Sequence, residues 1–198
     1  MGRLFARHGV RRFPTREDAM SINLAYKSSL LLCSIFLALG PAHGGGWSKA
    51  SDIGRAALVG TALAVPAAQG DWQGDLQAGG SILLAHGMTT GLKEIFPERR
   101  PDGGRKSFPS KHSSDAFAAA ATLENRYGWE VGLPAFVVAT LVGVGRVEAR
   151  RHHWYDVVAG AALGTGSGLL LTSKRNDRAR LVPWGDSGGG GLTLALRF

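Results

Sequence analysis

The sequence predicts an all-α protein, a helical bundle of about five to six helices with a short C-terminal β-strand or hairpin. Three observations carry that prediction. Apolar runs rich in Ala, Leu and Gly, 8 to 15 residues long, recur between polar loops, which is the pattern of helices packed on one another. Only the last residues alternate with the period of two that marks a strand. With 44% hydrophobic and 19% charged residues, the chain of 198 can bury a core, which excludes disorder throughout.

At the amino end, Ser28 to Leu39 reads SSLLLCSIFLAL, with Lys27 before it and Gly40, Pro41, Ala42, His43 and Gly44 after it. A basic flank, an apolar stretch of 12 residues and a small-residue exit form the layout of a secretory signal peptide. The stretch is short for a transmembrane helix, although an uncleaved anchor is the competing reading. Residues 1–44 are therefore assigned to a leader and signal peptide, with Met20 standing where such a signal would ordinarily start. Arg11-Arg12-Phe13 makes a poor twin-arginine signal, because Pro14, Arg16, Glu17 and Asp18 intervene before the apolar run. Cys33, the one cysteine, excludes an internal disulfide and any CxxC site.

Beyond the leader, helices are expected around Ala56–Ala68, Ser81–Leu92, Ala116–Leu123, Val131–Val144 and Val157–Leu171, none of these runs reaching the 18 to 20 residues of a clean span. Small residues from Ala159 to Gly166 would let helix backbones approach closely. The loop from Glu94 to Pro109 holds three prolines and stops a helix near Phe96. In the tail, Leu192, Leu194, Leu196 and Phe198 alternate with Thr193, Ala195 and Arg197, a strand that can pair with Leu181–Trp184 through the glycine turn. The helical domain is placed at 45–175 and the tail at 176–198.

Lys and Arg number 23 against 15 Asp and Glu. Residues 1–42 hold six of the basic and two of the acidic residues, so the remainder carries 17 against 13, about +4. That remainder is concentrated near residues 93–111 and 146–151 and is not spread along a face with interleaved aromatics, which argues against nucleic acid and leaves a phosphorylated substrate or a membrane surface.

Three short segments carry the chemistry: Lys93-x6-Arg100-Pro101, Pro109-Ser110-Lys111-His112, and Arg146-x5-His152-x3-Asp156. Their order and spacing resemble the three motifs of the type 2 phosphatidic acid phosphatase (PAP2) family, which shares its active site with bacterial nonspecific acid phosphatases and vanadium haloperoxidases. The resemblance covers about residues 80–172 and includes six charged or catalytic positions, Ser107-Phe108 before the second motif, and the run from Asp156 to Ala161 after the third. Two positions depart from the pattern: Lys111 stands where the family usually has Gly, and Gly145 where it usually has Ser. The first crowds the phosphate with a side chain; the second removes one hydroxyl.

The residue types suit this chemistry on their own terms. Lys93, Arg100 and Arg146 can converge on one phosphate, the guanidinium forks binding oxygens in pairs and the ammonium acting as a point charge. A histidine attacks phosphorus competently when a carboxylate holds its other ring nitrogen, and His152 with Asp156 four residues on offers that pairing on one helical face. His112, at the start of the Ala116 helix, can exchange a proton near neutral pH. Ser110 and Lys111 can donate to phosphate from side chain and backbone. The resemblance implies a phosphohistidine on His152, His112 as general acid and base, and no metal or other cofactor.

Taken singly, each of these cations reads as a solvated charge; only the joint spacing points elsewhere. His153 lacks the three-residue gap to Asp156 and reads as structural or as lining the entrance. His86 reads as a satisfied core histidine, His43 as part of the cleavage region, and Arg99, Arg105, Lys106, Arg150 and Arg151 as solvated. Trp154 and Tyr155 read as packing or interfacial residues.

The leading functional reading is a phosphohydrolase of the cell envelope acting on a lipid-linked monoester or diphosphate, such as phosphatidate, a polyprenyl diphosphate or a lipid A phosphate. It would be periplasmic or membrane-associated, with its active site on the outer side of the inner membrane. The alternative within enzymes is a soluble periplasmic acid phosphatase, favoured by a mean hydropathy of 0.00. Length argues against halide oxidation on bound vanadate, since haloperoxidases of the group are far larger. A polyanion or headgroup binding protein working through residues 93–111 is the non-enzymatic alternative.

Overall fold

The computed structural model describes residues 45–174, 179–186 and 188–196, together with Lys27. The leader, the signal peptide, Met20 and Cys33 lie outside the described residues. Five helices follow one another: α1 (Gly46–Ala68), α2 (Trp72–Ile95), α3 (Lys111–Tyr127), α4 (Trp129–Glu148) and α5 (Trp154–Leu171). A two-stranded antiparallel hairpin, β1 (Ala179–Asp186) with β2 (Gly189–Leu196), pairs Leu181 with Leu194 and Trp184 with Gly191.

The helices are longer than the apolar runs, at 17 to 24 residues against 8 to 15. The extensions run through residues of low intrinsic propensity such as Asp52, Gly54, Gly74 and Gly79, so packing within the bundle carries them. Asp71 accepts from the Gly74 N–H at 3.2 Å to start α2, and α2 stops at Ile95, two residues before Pro97. Trp129–Glu148 is, among the described residues, the one helix long and apolar enough to cross a membrane, and half of its apolar window is buried within the bundle.

α3 is the central helix and packs against all four others. Its alanines Ala116, Ala118, Ala119, Ala120 and Ala121 are fully buried. The partner surface on α5 is a stripe of glycines four residues apart: a Cβ on Gly160 would lie 2.3 Å from the Ser110 carbonyl, and one on Gly164 would lie 2.2 Å from the Ser114 carbonyl. Two backbones therefore touch directly, as small residues at this spacing permit. Around this seam, Leu58, Ala62, Leu123, Val138 and Val142 complete an apolar core.

A buried polar network ties the end of the bundle where α3 finishes. The Arg126 guanidinium forks onto the Asp71 carboxylate and donates to Gln77 Oε1 and the Ser173 carbonyl, both at 3.0 Å, while the Tyr127 hydroxyl donates to Asp71 at 3.2 Å. Burial pushes the Asp71 carboxyl up, but the hydrogen bonds and charge of Arg126 outweigh it and hold the pKa below the usual value.

Candidate active site

The three motifs meet where the first turns of α3 and α5 face the last turns of α2 and α4. Helix N-termini present unpaired N–H groups and a positive dipole end, a setting that favours an anion. Lys93 and Arg146 come from the two last turns; His112 and Asp156 come from the two first turns. Lys93 is 8% exposed, Arg146 5%, His152 2% and Asp156 not at all.

The loop after α2 is folded around Lys93. Its Nζ donates to the carbonyls of Lys106 and Ser107, at 2.8 and 2.9 Å, and Lys106 reaches its position with a left-handed φ of 61°. Burial, then the charges of Arg100, Lys111 and Arg146 against the partial relief of Asp156, bring the Lys93 pKa down to about 8. Three further cations, Arg100, Lys111 and Arg146, thus act on Lys93. Arg100 sits in the loop that Arg99 and Arg105 bridge, with its backbone N–H donating to the Gly104 carbonyl at 2.8 Å.

His152 and Asp156 are brought together, with Nδ1 3.4 Å from Oδ2. The expected shared helical face is not how they meet. α5 begins at Trp154, so His152 precedes the helix, and Asp156 in its first turn reaches back to accept from the His153 N–H at 2.8 Å. The aspartate caps the helix, and the same act puts its oxygen beside His152. Ser107, a flanking residue in the sequence reading, donates its hydroxyl to the same oxygen at 2.5 Å, and the Asp156 carbonyl accepts from the Ser110 N–H at 2.9 Å. Burial and the charges of Lys93, Arg146 and Arg100 push the His152 pKa to about 3, with Asp156 opposing. The imidazole is thereby neutral at ordinary pH, the form in which a ring nitrogen can attack.

His112 lies in the first turn of α3, where the sequence placed it, and its Nε2 is 2.7 Å from Asp52 Oδ1. Arg146 Nη1 donates to the same oxygen at 3.3 Å and to Ser48 Oγ at 3.5 Å. Ser48, Asp52 and Arg55 form a stripe at helical spacing on α1 that the sequence reading did not single out. Arg55 donates to Asp115 at 2.9 Å, and Asp115 also holds His86 Nδ1 at 3.2 Å. That stripe, three polar residues four and three apart on one helix face, was the available signal. Burial and the charges of Arg146 and Arg55 bring the His112 pKa down to about 4 despite Asp52.

Ser110 has a structural task as well as the one expected of it. It is fully buried and its oxygen accepts from the Ser113 N–H and hydroxyl, at 3.4 and 3.1 Å, so it caps α3. Lys111 is half-buried at the first position of the same helix. His153 stacks on Tyr155 with ring centroids 5.0 Å apart, and Trp154 is 69% exposed. Lys106 pairs with Glu94 and Arg151 with Asp102 at the surface, and His86 is only half-buried. Glu98, His153 and Asp156 bring one potential metal-ligating atom each within 4.8 Å, although Glu98 already accepts from the Tyr155 hydroxyl and Asp156 from Ser107.

Among the described residues, the buried side-chain atoms with no hydrogen-bond partner are Arg55 Nε, Arg100 Nε, Arg146 Nε, His152 Nδ1, His153 Nδ1 and Asp156 Oδ1. Cations, a histidine and a held carboxylate gathered at two helix N-termini make a setting that suits an anion. Residues 81–180 match the PAP2 superfamily, and the chain belongs to that family.

The chain is 33% identical to the lipid A 4'-phosphatase of Helicobacter pylori over 129 residues, 59% of this chain and 64% of that protein. It is 37% identical to the lipid A 1-phosphatase of Porphyromonas gingivalis over 45% of this chain and 21% of that one. A decaprenylphosphoryl-5-phosphoribose phosphatase of Mycolicibacterium smegmatis is 29% identical over 74% of this chain and 82% of its own length. The match thus spans less than two thirds of the length of the two lipid A phosphatases. The crystal structure of Aquifex aeolicus LpxE shares the fold, with a TM-score of 0.57 at 21% identity over 70% of this chain and 92% of that one.

Proposed function

We propose that this chain is a metal-independent phosphatase that removes phosphate from a lipid-borne monoester or diphosphate through a phosphohistidine on His152. The observation that carries the reading is the buried, neutral His152 beside Asp156, with Lys93, Arg100 and Arg146 close enough to depress its pKa. His152 attacks phosphorus, with Asp156, held by Ser107, fixing the ring. The three cations stabilise the charge that builds on the equatorial oxygens. His112 protonates the leaving oxygen and then deprotonates the water that releases phosphate.

Two observations favour a lipid over a soluble ester. The relatives are named for lipid phosphates. A shallow, open apolar groove is lined by Ile95, Phe96, Pro97, Glu98, Phe108 and Tyr155, of which Phe108 stands two residues before Ser110 and Tyr155 next to Asp156. An acyl or prenyl chain fits such an apolar lining. With Leu83, Leu133, Val137, Leu169 and Leu170 also exposed on the bundle, association with a membrane surface follows. Export to the envelope, with the site on the outer side of the inner membrane, rests on the leader.

The test is phosphate release by wild type and His152→Ala, purified in detergent, on phosphatidate, a polyprenyl diphosphate, lipid A and p-nitrophenyl phosphate. Wild type is expected to prefer a lipid, to be inhibited by vanadate and to be indifferent to EDTA, while His152→Ala loses turnover. Activity retained in His152→Ala would overturn the nucleophile. Inhibition by EDTA that added metal reverses would overturn the metal-free scheme, and preference for the soluble ester would overturn the lipid.

A further inference from the structure

We infer that Asp52 is the positioning residue of His112, holding the imidazole by its Nε2–H so that Nδ1 is the nitrogen presented to the phosphate; the inference rests on the phosphatase reading above. Asp52 lies on α1, sixty positions from His112 and outside the residues that match the family. Its carboxylate oxygen is 2.7 Å from Nε2, and the Arg146 guanidinium donates to it at 3.3 Å. One carboxylate thus orients both the proton carrier and a phosphate-binding cation.

The pairing has a chemical consequence. A neutral imidazole carries one proton, and a carboxylate on Nε2 fixes it there, leaving the Nδ1 lone pair to work. The charged groups around His112 are Asp52 and Arg55 from α1 and Arg146 from α4. His86 of α2 is turned to Asp115, and His152, ahead of α5, lies against Asp156. Asp52 is thus the one group on His112 that favours the imidazolium, and a bound phosphate adds its negative charge in the same sense. When the P–O bond breaks, its electron pair goes to the leaving oxygen, which takes the proton from Nδ1, and His112 returns to the neutral Nε2–H form. In the second step Nδ1 takes a proton from water as the water oxygen bonds to phosphorus and the P–N bond to His152 breaks. Asp52 stays ionised throughout.

The side chain of Asp52 is 55% exposed, so Asp52→Asn is expected to leave the fold intact, which thermal unfolding checks. Asp52→Asn should lower kcat/KM, which reports the step that expels the leaving group, by about 10- to 100-fold on phosphatidate, whose alkoxide needs a proton. It should lower kcat/KM on p-nitrophenyl phosphate, whose phenolate leaves unaided, by less than about 3-fold. The limb of the kcat/KM profile that reports protonated His112 should move to lower pH, and Asp52→Glu should restore part of the loss. Independently of turnover, nitrogen NMR of labelled histidine should show the Nε2–H tautomer of His112 in the wild type and a mixture in Asp52→Asn. Equal losses on both substrates with an unchanged tautomer would overturn the proposal. So would a rise in kcat/KM with tighter vanadate inhibition, which would make Asp52 an occupant of the phosphate site. If wild type turns over neither substrate, the phosphatase reading falls while the tautomer still decides the pairing.

Discussion

Two polar clusters sit at opposite ends of α3, about 20 Å apart by the rise of a helix. At the carboxyl end, Arg126 is matched to Asp71, Gln77 and Ser173, Tyr127 is matched to Asp71, and no buried orphan atom occurs there among the described residues. Around the amino end, Lys93, Arg100, Arg146, His112 and His152 gather with Asp52, Asp115 and Asp156, and the orphan atoms on Arg55, Arg100, Arg146, His152, His153 and Asp156 are all found there. The first cluster is complete in the fold itself. The second leaves Nε donors on Arg55, Arg100 and Arg146 without a partner, which is what the anion site proposed above requires.

The sharpest way to break the first cluster is Arg126→Ala, which leaves Asp71 buried without its partner. It should destabilise the fold by about 3 to 5 kcal/mol, measured by denaturant titration. At the other cluster, Lys93→Ala and Arg146→Ala should each cost about 2 to 4 kcal/mol of transition-state stabilisation in kcat/KM while leaving the denaturation midpoint nearly unmoved. Equal effects on stability and turnover at both ends would erase the distinction.

Acid separates the two ends by window. His112 and His152 have folded pKa values near 4 and 3 against 6.5, so the unfolded chain binds protons first. Their contribution to stability is present above about pH 6.5 and is lost as pH falls toward 4 and 3. The Asp71 contribution is lost only below its ordinary value of 3.8. Urea midpoints should fall between pH 6.5 and 4.5, and the double variant His112→Ala/His152→Ala should flatten that fall. At the small end of the scale, Lys106→Ala breaks an exposed pair with Glu94 and should shift stability by less than about 1 kcal/mol.

The cations and histidines were legible in the sequence because phosphate chemistry demands those types and their spacing survives as a motif. Asp52, Ser48 and Arg55 were not, since they lie on the polar first half of α1, upstream of the apolar run that marked the helix at Ala56. Spacing also misled at His152 and Asp156. Four residues suggested two side chains on one helix face, whereas a helix start and its cap bring them together. The hairpin was legible because alternation over Leu192, Leu194 and Leu196 has no helical counterpart.

The glycine stripe of α5 bears on more than packing. Gly160 rests against the carbonyl of Ser110, the residue that caps the helix carrying His112, and Gly160 follows Asp156 by one helical turn. The spacing between His152 and His112 is therefore gauged by a seam with no side chain in it. A single methyl at Gly160 or Gly164 would act as a shim, widening the jaws of the site while most of the bundle stayed closed.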